Sequence, residues 1–510
     1  MLACSPACLR RTDFEVHRNW LAVSALPIEA WYRESTSQWT LDYPPLFAWF
    51  QRGLAAIAKH VDPAMLELSE APVETPKTIV FLRLSVSLVG DSVLLLAVWL
   101  AMRTAAAAAA AAAAGTSGGA DNAVGAAFVL LSPALMLVDH IHFQYNGMLI
   151  GVLLVAIHCA QVNKPVAAAL AFSATLYLKH LFVYAVPAFT IYLFVRYCAT
   201  RGGVWMFFKL GSAVLGVSAL SLGPMIATDQ IVPMMERLFP FERGLLHASW
   251  APNAWALYAA VDKGLSFCLY AAGERQRASL AGGLVAVQSF QVLPNVRPWH
   301  CLGLAGVAML PALVACVRSP AVSFHRLVGY ALLCGFMFGY HVHEKAIIPP
   351  MMILMFAEFY RARVDWSARS KAVFLSVVAA AVQFPLLFTL AEHPIKHLMT
   401  LGYALVAVPV WLREHPRVQG RAVSVLSVRS LWMGIRRGLA WWQVGALGGG
   451  VCVEAYVGSG VHRLVWGGRL PFLPLMMQSV FYAVVLVVVW ASEAAYFARL
   501  CLSRGGKKRV

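Results

Sequence analysis

The stretch Pro471–Phe497, PFLPLMMQSVFYAVVLVVVWASEAAYF, is predominantly apolar and carries a single charged residue, Glu493. A helix needs roughly 20 apolar residues to cross the hydrocarbon core of a bilayer, so this stretch predicts a membrane span. The rest of the chain has the same character, because 60% of its 510 residues are hydrophobic, 13% are charged and the mean hydropathy is +0.68. One aqueous core could not bury so much apolar surface, and the sequence therefore predicts a membrane protein.

Similar apolar runs recur along the chain and predict an all-α, polytopic fold with about thirteen transmembrane helices. The runs cover residues 79–101, 123–138, 147–162, 166–178, 180–197, 204–227, 301–317, 327–340, 346–360, 372–391, 395–412, 439–457 and 471–497. They divide the chain into a first loop (1–78), a first helical group (79–228), a long loop (229–300), a second helical group (301–498) with a basic loop at 413–438, and a basic tail (499–510).

The formal charge of +17 is the second unusual property of the chain. In a soluble protein it would suggest nucleic acid as the partner, but in a membrane protein the positive-inside rule explains it without any ligand. The Lys and Arg residues cluster in the segments 196–209, 318–326, 361–371, 413–437 and 499–509. These segments are predicted to be cytosolic, which places the loops 1–78 and 229–300 in a lumen.

The predicted topology leaves the amino terminus unexplained. Thirteen spans and a cytosolic carboxyl terminus put residue 1 in the lumen, yet no apolar run precedes Asp13 to carry it across. We expect a first helix upstream of Met1, with a reverse-anchored internal span as the alternative. The final residues, Lys507-Lys508-Arg509-Val510, match the dilysine retrieval pattern of endoplasmic-reticulum membrane proteins, and an ordinary basic tail explains them equally well.

Several chemistries are disfavoured because their motifs are missing. The ten Cys are scattered without a C-x2-C pair, which argues against a zinc site and against a disulfide framework. The chain has no Asp-x-Asp pair, no Walker loop and no Gly-rich dinucleotide fingerprint, so a nucleotide-dependent enzyme is disfavoured and no cofactor is expected. An enzyme acting on a lipid-borne phosphate stays possible, and so does a non-enzymatic lipid transporter.

Four polar segments stand out against the apolar background, and the first spans Asp13 to Trp20. An Asp near the bilayer surface could stay ionised and accept a proton. The alternative, which these residues alone favour, is an amphipathic interfacial helix anchored by Trp20, Trp31 and Trp39. The nearby segment Leu41-Asp42-Tyr43-Pro44-Pro45 belongs to the same loop.

The second segment, Asp139 to Asn146, is dense in polar side chains between two apolar runs. Such density at a membrane boundary is costly unless the residues line a water-filled cavity, so function is the better explanation. Metal binding by His140 and His142 is the rival. Residues two apart on a helix point in different directions, so this pair could chelate only if the chain were extended.

The third segment, His341 to Lys345, and the fourth, around Arg243, both lie at predicted luminal positions. His343 and Lys345 together are the kind of groups that an anionic phosphate requires. Glu344 with Lys345 could instead be a surface ion pair of little value. Arg243 could bind a phosphate or only anchor its loop to lipid headgroups.

At these segments the chain resembles the endoplasmic-reticulum glucosyltransferases that use dolichyl phosphate glucose to extend the lipid-linked oligosaccharide of asparagine-linked glycosylation. The resemblance is carried by TDFEVHRNW (Thr12–Trp20), WTLDYPP (Trp39–Pro45), VDHIHFQYNG (Val138–Gly147), RLFPFERGLLHASWAPNAWALY (Arg237–Tyr258) and FMFGYHVHEKAI (Phe336–Ile347). The string His247 to Asn253 and the form Asp139-His140-Ile141-His142 are closer to the enzymes that add the second glucose than to those that add the first. The first-glucose enzymes are therefore the nearest alternative.

The resemblance implies a GT-C architecture with luminal loops forming the active site, no metal and no cofactor. It implies that Asp13 is the general base of an inverting transfer of glucose from dolichyl phosphate glucose to Glc1Man9GlcNAc2-diphosphodolichol, with formation of an α-1,3 bond. Both substrates are lipids, and the enzyme would reside in the endoplasmic-reticulum membrane. The residues expected to bind the donor phosphate are His343, Lys345, Arg243 and His341. Those expected to bind the rest of the substrates are Asp42, Asp139, His140, His142, Gln144, Tyr145, Asn146 and Glu344.

Overall fold

Helices account for the regular secondary structure of the residues that the structure, a computed structural model, describes. These residues are 12–111, 126–247, 249–269, 290–320, 322–359, 366–387, 389, 391–414, 435 and 438–502. Within these ranges the extended segments pair at one isolated parallel bridge, between Leu246 and Val342. The all-α fold class expected from the sequence is confirmed.

The chain forms two compact units, of which the first contains the residues up to Leu130 and Leu135–Pro240. Its α-helices are α1 (Thr12–Ala25), α2 (Pro45–Val61), α3 (Pro76–Ser85), α4 (Ser92–Ala111), α5 (Asn146–Gln161), α6 (Pro165–Leu178), α7 (Val186–Leu193), α8 (Gly203–Ala227) and α9 (Ile231–Leu238). Helical turns of π type lie at Val86–Asp91, Met136–Phe143 and Phe194–Cys198, and 3-10 turns at Ile28–Ala30, Pro63–Leu66 and His180–Ala185.

The second unit contains Leu131–Ala134 and the residues from Phe241 onwards. Its α-helices are α10 (Ala254–Leu269), α11 (Pro298–Arg318), α12 (Phe324–Phe338), α13 (Ile348–Phe359), α14 (Trp366–Val382), α15 (His393–Glu414), α16 (Trp441–Gly458), α17 (Val461–Trp466) and α18 (Leu473–Leu502). Short 3-10 turns lie at Phe241–Arg243, Glu344–Ile347 and Phe384–Leu386.

Each of the thirteen apolar runs has helical structure in its described part. Among the described residues, seven helical stretches are long and apolar enough to cross a membrane: Pro76–Thr104, Ala126–Phe143, His180–Cys198, Gly203–Ala227, Pro298–Arg318, Ala368–Leu386 and Leu473–Leu502. Helices α5, α6 and α12 are apolar but shorter. The count of thirteen spans stays a prediction. The tail after Leu502 and residues 415–434 of the basic loop lie outside the described residues.

Close packing of α5 against α4 fixes the centre of the first unit. Gly151 of α5 lies so near α4 that a Cβ atom there would approach the backbone nitrogen of Leu94 to 2.8 Å. Only glycine permits this distance, because every other residue would place a carbon atom inside the neighbouring backbone. This contact fixes the position of α5 relative to α4. The polar segment Asp139–Asn146 ends at the first residue of α5.

Helix α1 is buried in the first unit rather than lying at an interface. Trp20 is 2% exposed and Trp31, in the loop after α1, is fully buried, so these rings do not serve as interfacial anchors and that alternative is wrong for both of them. Glu15 and Arg18 form a buried ion pair on α1. The Arg18 guanidinium also donates to the carbonyl oxygens of Met65 and Glu67.

These bonds give the charged residues of the TDFEVHRNW motif a structural role. Glu15 accepts a hydrogen bond from the backbone N–H of Val73 at 3.2 Å, while Arg18 holds the 3-10 turn that follows α2. Buried charges persist only when their polar atoms are paired in this way. The ion pair thus clamps the segment between α2 and α3 onto α1, which carries Asp13.

Candidate active site

Asp13 lies at the start of α1 with its side chain 17% exposed. Its Oδ2 atom accepts a hydrogen bond from Gln144 Nε2 at 2.8 Å and lies 3.0 Å from His142 Nε2. Hydrogen-bond donors stabilise the ionised form of a carboxyl group. A carboxylate that is held at one oxygen and still reaches solvent has the geometry that a general base requires.

The π-helical turn Met136–Phe143 decides where the polar residues of the second segment point. His142 faces Asp13, whereas His140 Nε2 lies 3.2 Å from the Asp91 carboxylate. The two imidazoles thus bond to different acids, and chelation of one metal ion by His140 and His142 is not supported. The structure brings His142 to Asp13 but leaves His140 at a separate pair.

The turn ends at a strained residue that redirects the chain. Phe143 is fully buried and has a φ of 85°, a value that costs energy for a residue with a Cβ atom. Its ring packs edge-on against Phe14 at 5.3 Å and Tyr145 at 5.6 Å. This packing holds the strained backbone in place, and the next residue, Gln144, adopts an extended conformation beside Asp13.

The remaining polar residues of the segment are satisfied inside the unit. Asp139 accepts from Asn146 Nδ2 at 2.8 Å and from the backbone N–H of Gly147 at 2.7 Å. The Tyr145 hydroxyl lies 2.6 Å from Ser85 Oγ. Asp139, Tyr145 and Asn146 are at most 3% exposed, so protein atoms enclose all three residues in this structure, and their binding to substrate stays a prediction.

Asp42 reaches the same region through bonds that α1 makes to its segment. Asn19 Nδ2 donates to the carbonyl of Trp39 and Trp20 Nε1 to that of Thr40, each at 3.0 Å. These two bonds join the segments that carry the motifs TDFEVHRNW and WTLDYPP. Burial raises the pKa of Tyr43 well above 10, and the charges of Asp42 and then Asp13 raise it further.

The second unit contains a cluster of His247, His341 and His343, hereafter the three-histidine cluster. Their ring nitrogens lie within 4.8 Å of one another, and the rings of His247 and His343 are 3.7 Å apart at their centroids. The backbone N–H of His341 donates to the carbonyl of Leu245 at 3.0 Å. This bond and the bridge between Leu246 and Val342 join the two loops that carry the cluster.

His341 is electrically neutral in this setting. Its pKa is lowered to about 4, chiefly by burial; the hydrogen bond to the Gly244 carbonyl raises the pKa in part, and the electrostatic effects of His247 and Arg243 lower it. Its Nδ1 lies 2.9 Å from that carbonyl oxygen, which can only accept, so Nδ1 carries the proton. His341 therefore contributes polarity and shape to the cluster but no fixed positive charge.

Glu344 is 1% exposed and not part of a surface ion pair with Lys345, so that alternative is wrong. Its Oε2 accepts a hydrogen bond from the Ser249 hydroxyl and lies 3.8 Å from His247 Nδ1. Ser249 Oγ is also 2.8 Å from His247 Nδ1. The carboxylate thus orients His247, while Lys345 is half-buried on the same 3-10 turn.

The three-histidine cluster offers two kinds of chemistry. Three imidazole nitrogens at this spacing could ligate a divalent ion such as Zn²⁺. The same nitrogens, with Arg243 close enough to lower the pKa of His341, form a polar and partly cationic surface suited to a phosphate. The positive charge of Arg243 beside His341 would disfavour a metal cation there and would attract an anion.

Two participants were missed by reasoning from the sequence. His247 was visible in the string HASWAPN, but its meeting with His341 depends on a contact between distant loops. Lys179 interrupts the helical run between α6 and the next 3-10 turn, and its Nζ lies 3.1 Å from Asn146 Oδ1. A basic residue inside an otherwise apolar stretch was the only available signal for it.

Comparison with known proteins adds to this geometry. Residues 2–492 match the model of the ALG6, ALG8 glycosyltransferase family. The chain belongs to this family. The match covers both units and every segment that carried the resemblance, so the family membership expected from the sequence is confirmed, and this family member is an enzyme with an all-helical, membrane-spanning fold.

Curated relatives of this ALG6, ALG8 family member come from distant organisms. Proteins named dolichyl pyrophosphate Glc1Man9GlcNAc2 alpha-1,3-glucosyltransferase are 37% identical in Arabidopsis thaliana and 38% identical in Mus musculus. The alignments cover 94% of this chain and 92% and 90% of the respective relatives. The protein of that name in Schizosaccharomyces pombe is also 38% identical, over 93% of this chain and 91% of the relative.

Proposed function

We propose that this enzyme transfers glucose from dolichyl phosphate glucose to Glc1Man9GlcNAc2-diphosphodolichol and forms an α-1,3 linkage, which adds the second glucose of the lipid-linked oligosaccharide. The observation that carries this proposal is the near full-length similarity to relatives that are named for this acceptor and this bond. The absence of nucleotide-binding motifs from the sequence agrees with a lipid-borne sugar donor.

In this mechanism Asp13 is the general base. Its partly exposed carboxylate, held by Gln144 and His142, supports the assignment. Asp13 takes the proton of the 3-hydroxyl on the terminal glucose of the acceptor as that oxygen attacks the anomeric carbon of the donor. The new carbon–oxygen bond forms on the face opposite the phosphate, so the β-linked glucose of the donor becomes α-linked in the product.

The bond that breaks joins the anomeric carbon to the phosphate oxygen, and its electron pair leaves with dolichyl phosphate. The leaving phosphate is a stable anion, so the step needs no general acid, metal ion or cofactor. It does need groups that neutralise the increasing negative charge. We assign this role to His343, Lys345 and Arg243, with His341 as a neutral neighbour that donates or accepts hydrogen bonds.

The other candidate residues have supporting roles. Asp42 is partly exposed and is proposed to bind acceptor hydroxyls. Glu344 is proposed to fix His247 for donor binding, because its carboxylate is bonded to Ser249 beside that imidazole. His140 lies on the Asp91 carboxylate and is proposed to hold the π-helical turn in shape.

The proposed location is the endoplasmic-reticulum membrane, with the site in the lumen and the carboxyl terminus in the cytosol. The basic segments predicted to be cytosolic support this orientation. The donor and the acceptor are both dolichol lipids, so a membrane-embedded enzyme can meet them without extracting them from the bilayer.

One assay tests the function against its alternatives. The purified protein in lipid nanodiscs receives dolichyl phosphate glucose together with either Man9GlcNAc2- or Glc1Man9GlcNAc2-diphosphodolichol, and mass spectrometry follows the gain of one hexose. We expect glucose transfer to the Glc1Man9 acceptor alone. Transfer to the Man9 acceptor would instead identify a first-glucose transferase, and transfer to neither acceptor would contradict the proposed reaction.

A further inference from the structure

A series of hydrogen bonds connects Asp13 to a half-buried cation, Lys179, that the mechanism above does not use. Gln144 Nε2 donates to Asp13 at 2.8 Å, and Gln144 Oε1 accepts from Asn146 Nδ2 at 3.1 Å. The Asn146 amide also donates to Asp139 at 2.8 Å, and its Oδ1 accepts from Lys179 Nζ at 3.1 Å. All five side chains belong to the first unit.

Two charged groups, Lys179 and Asp139, set the donor and acceptor directions in this series of hydrogen bonds. An ammonium group has only donors, so the Asn146 amide must turn its oxygen toward Lys179. The Asp139 carboxylate, which already accepts from the backbone N–H of Gly147, has only acceptors to offer, so the amide must turn its nitrogen toward Asp139. The opposite charges therefore fix both ends of the Asn146 amide in one orientation.

The same orientation is passed on to Gln144. The Asn146 nitrogen faces Gln144, so the Gln144 oxygen points to Asn146 and its nitrogen points to Asp13. In the flipped orientation the Gln144 oxygen would face the Asp13 carboxylate, and two acceptors would repel each other. Because the Asn146 side chain is 3% exposed, water has little access to replace a lost partner there.

The backbone at Lys179 supports this arrangement. Helix α6 ends at Leu178, Lys179 is extended with φ −152° and ψ 117°, and a 3-10 turn follows. The interruption directs the Lys179 side chain to Asn146, and its ammonium also lies 5.1 Å from the centroid of the Tyr43 ring. A basic residue placed at a helix break in an apolar region is costly to keep without a function.

We propose that Lys179 is a positioning residue for the glucosyl transfer: together with Asp139 it fixes the Asn146 amide, which holds Gln144 as a donor to Asp13. Lys179 touches neither substrate in this role. It keeps the Asp13 carboxylate in place through two intervening side chains. The inference rests on the proposed function, because it assigns Lys179 to the support of the proposed base.

The first test is the variant Lys179→Met, which removes the charge and keeps the length of the side chain. We expect kcat to fall about tenfold, since hydrogen bonds to charged groups are worth about that factor or more, with the KM for donor and acceptor unchanged. Lys179→Arg should recover most of the kcat. Lys164→Met, at the exposed opposite end of α6, is the matched control and should behave like the wild type.

A double-mutant cycle separates positioning from a merely structural role. If Lys179 acts through Gln144, the variant Gln144→Met should be slow, and adding Lys179→Met to it should slow it no further. Losses of kcat that multiply in the double variant would overturn the proposal, as would a Lys179→Met enzyme with normal kcat. If Lys179→Met fails to insert in the membrane, Asn146→Ala takes its place in the cycle with Gln144→Met. Adding Asn146→Ala to Gln144→Met should then lower kcat no further. Losses of kcat that multiply in this double variant would also refute the proposal.

The wild-type protein decides whether a failure concerns this inference or the function itself. A wild type that transfers no glucose to the Glc1Man9 acceptor contradicts the proposed function. A wild type that does so, with fully active Lys179 variants, contradicts only the positioning role.

Discussion

The substitution Asp13→Asn isolates the basicity of one carboxylate from its contacts. The amide oxygen of the substituted side chain can occupy the position of Oδ2, where it still accepts from Gln144 Nε2 and His142 Nε2, which lie 2.8 Å and 3.0 Å from that atom in the wild type. The amide nitrogen replaces the other oxygen and cannot take a proton. The change therefore keeps these two hydrogen bonds and removes the capacity of the residue to act as a base.

The expected loss follows from the worth of a positioned base. General-base catalysis contributes roughly 10²- to 10⁴-fold in rate, which corresponds to about 3 to 5 kcal/mol in the activation free energy. Because the local hydrogen bonds are kept, the KM values and the thermal stability should stay close to those of the wild type. The loss should appear in kcat alone.

The assay measures initial rates with saturating donor and Glc1Man9 acceptor in nanodiscs, with the hexose gain quantified by mass spectrometry. Asp229→Asn is the matched control, because it makes the same chemical change at a side chain that is 97% exposed and pairs with Arg33. Near-normal kcat in the Asp13→Asn enzyme would remove Asp13 from the mechanism. If the free energy of unfolding fell by as much as the activation free energy rose, the role of the carboxylate would be structural.

Further perturbations probe the fold and the three-histidine cluster. Arg18→Met leaves a buried carboxylate unpaired and should lower the free energy of unfolding by about 3 to 5 kcal/mol; an unchanged melting temperature in detergent would contradict the clamp. His343→Gln or Lys345→Met should raise the KM for dolichyl phosphate glucose more than that for the acceptor, and equal effects on both would argue against the phosphate assignment. His341 has a folded pKa of about 4, against an ordinary value near 6.5, so unfolding takes up a proton and stability should fall as the pH drops from about 6.5 to 4. His341→Gln should flatten that dependence, and an equally steep curve in the variant would assign it to other groups. Chelators should leave the rate unchanged while added Zn²⁺ inhibits in competition with the donor; loss of activity on chelation would instead make the cluster a functional metal site.

The motif residues fall into two groups once their contacts are known. Asp13, His142 and Gln144 meet at one carboxylate oxygen, which suits them to chemistry. Glu15 and Arg18 come from the same motif as Asp13, yet their bonds hold neighbouring backbone in place. Residues that occur together in a sequence string can therefore serve catalysis and folding separately.

The sequence by itself determined the membrane character, the helical class and the family, and it predicted the segments that are proposed to hold the site. These properties are local, because the length and apolarity of a run decide whether a helix can span a bilayer, and short strings of polar residues carry the resemblance. The seven long apolar helices among the described residues and the family match confirm the membrane character, the helical class and the family. Each of these properties could be inferred from residues that are close together in the sequence.

Only the tertiary structure decided which side chains meet. Asp13 and Gln144 are 131 residues apart, and a π-helical turn with a strained Phe143 separates His142 from His140. Lys179 reaches Asn146 because α6 ends one residue earlier. Periodicity and propensity report on the backbone within a few turns, whereas these contacts depend on how distant helices pack, and that is set by side-chain shape across the whole unit.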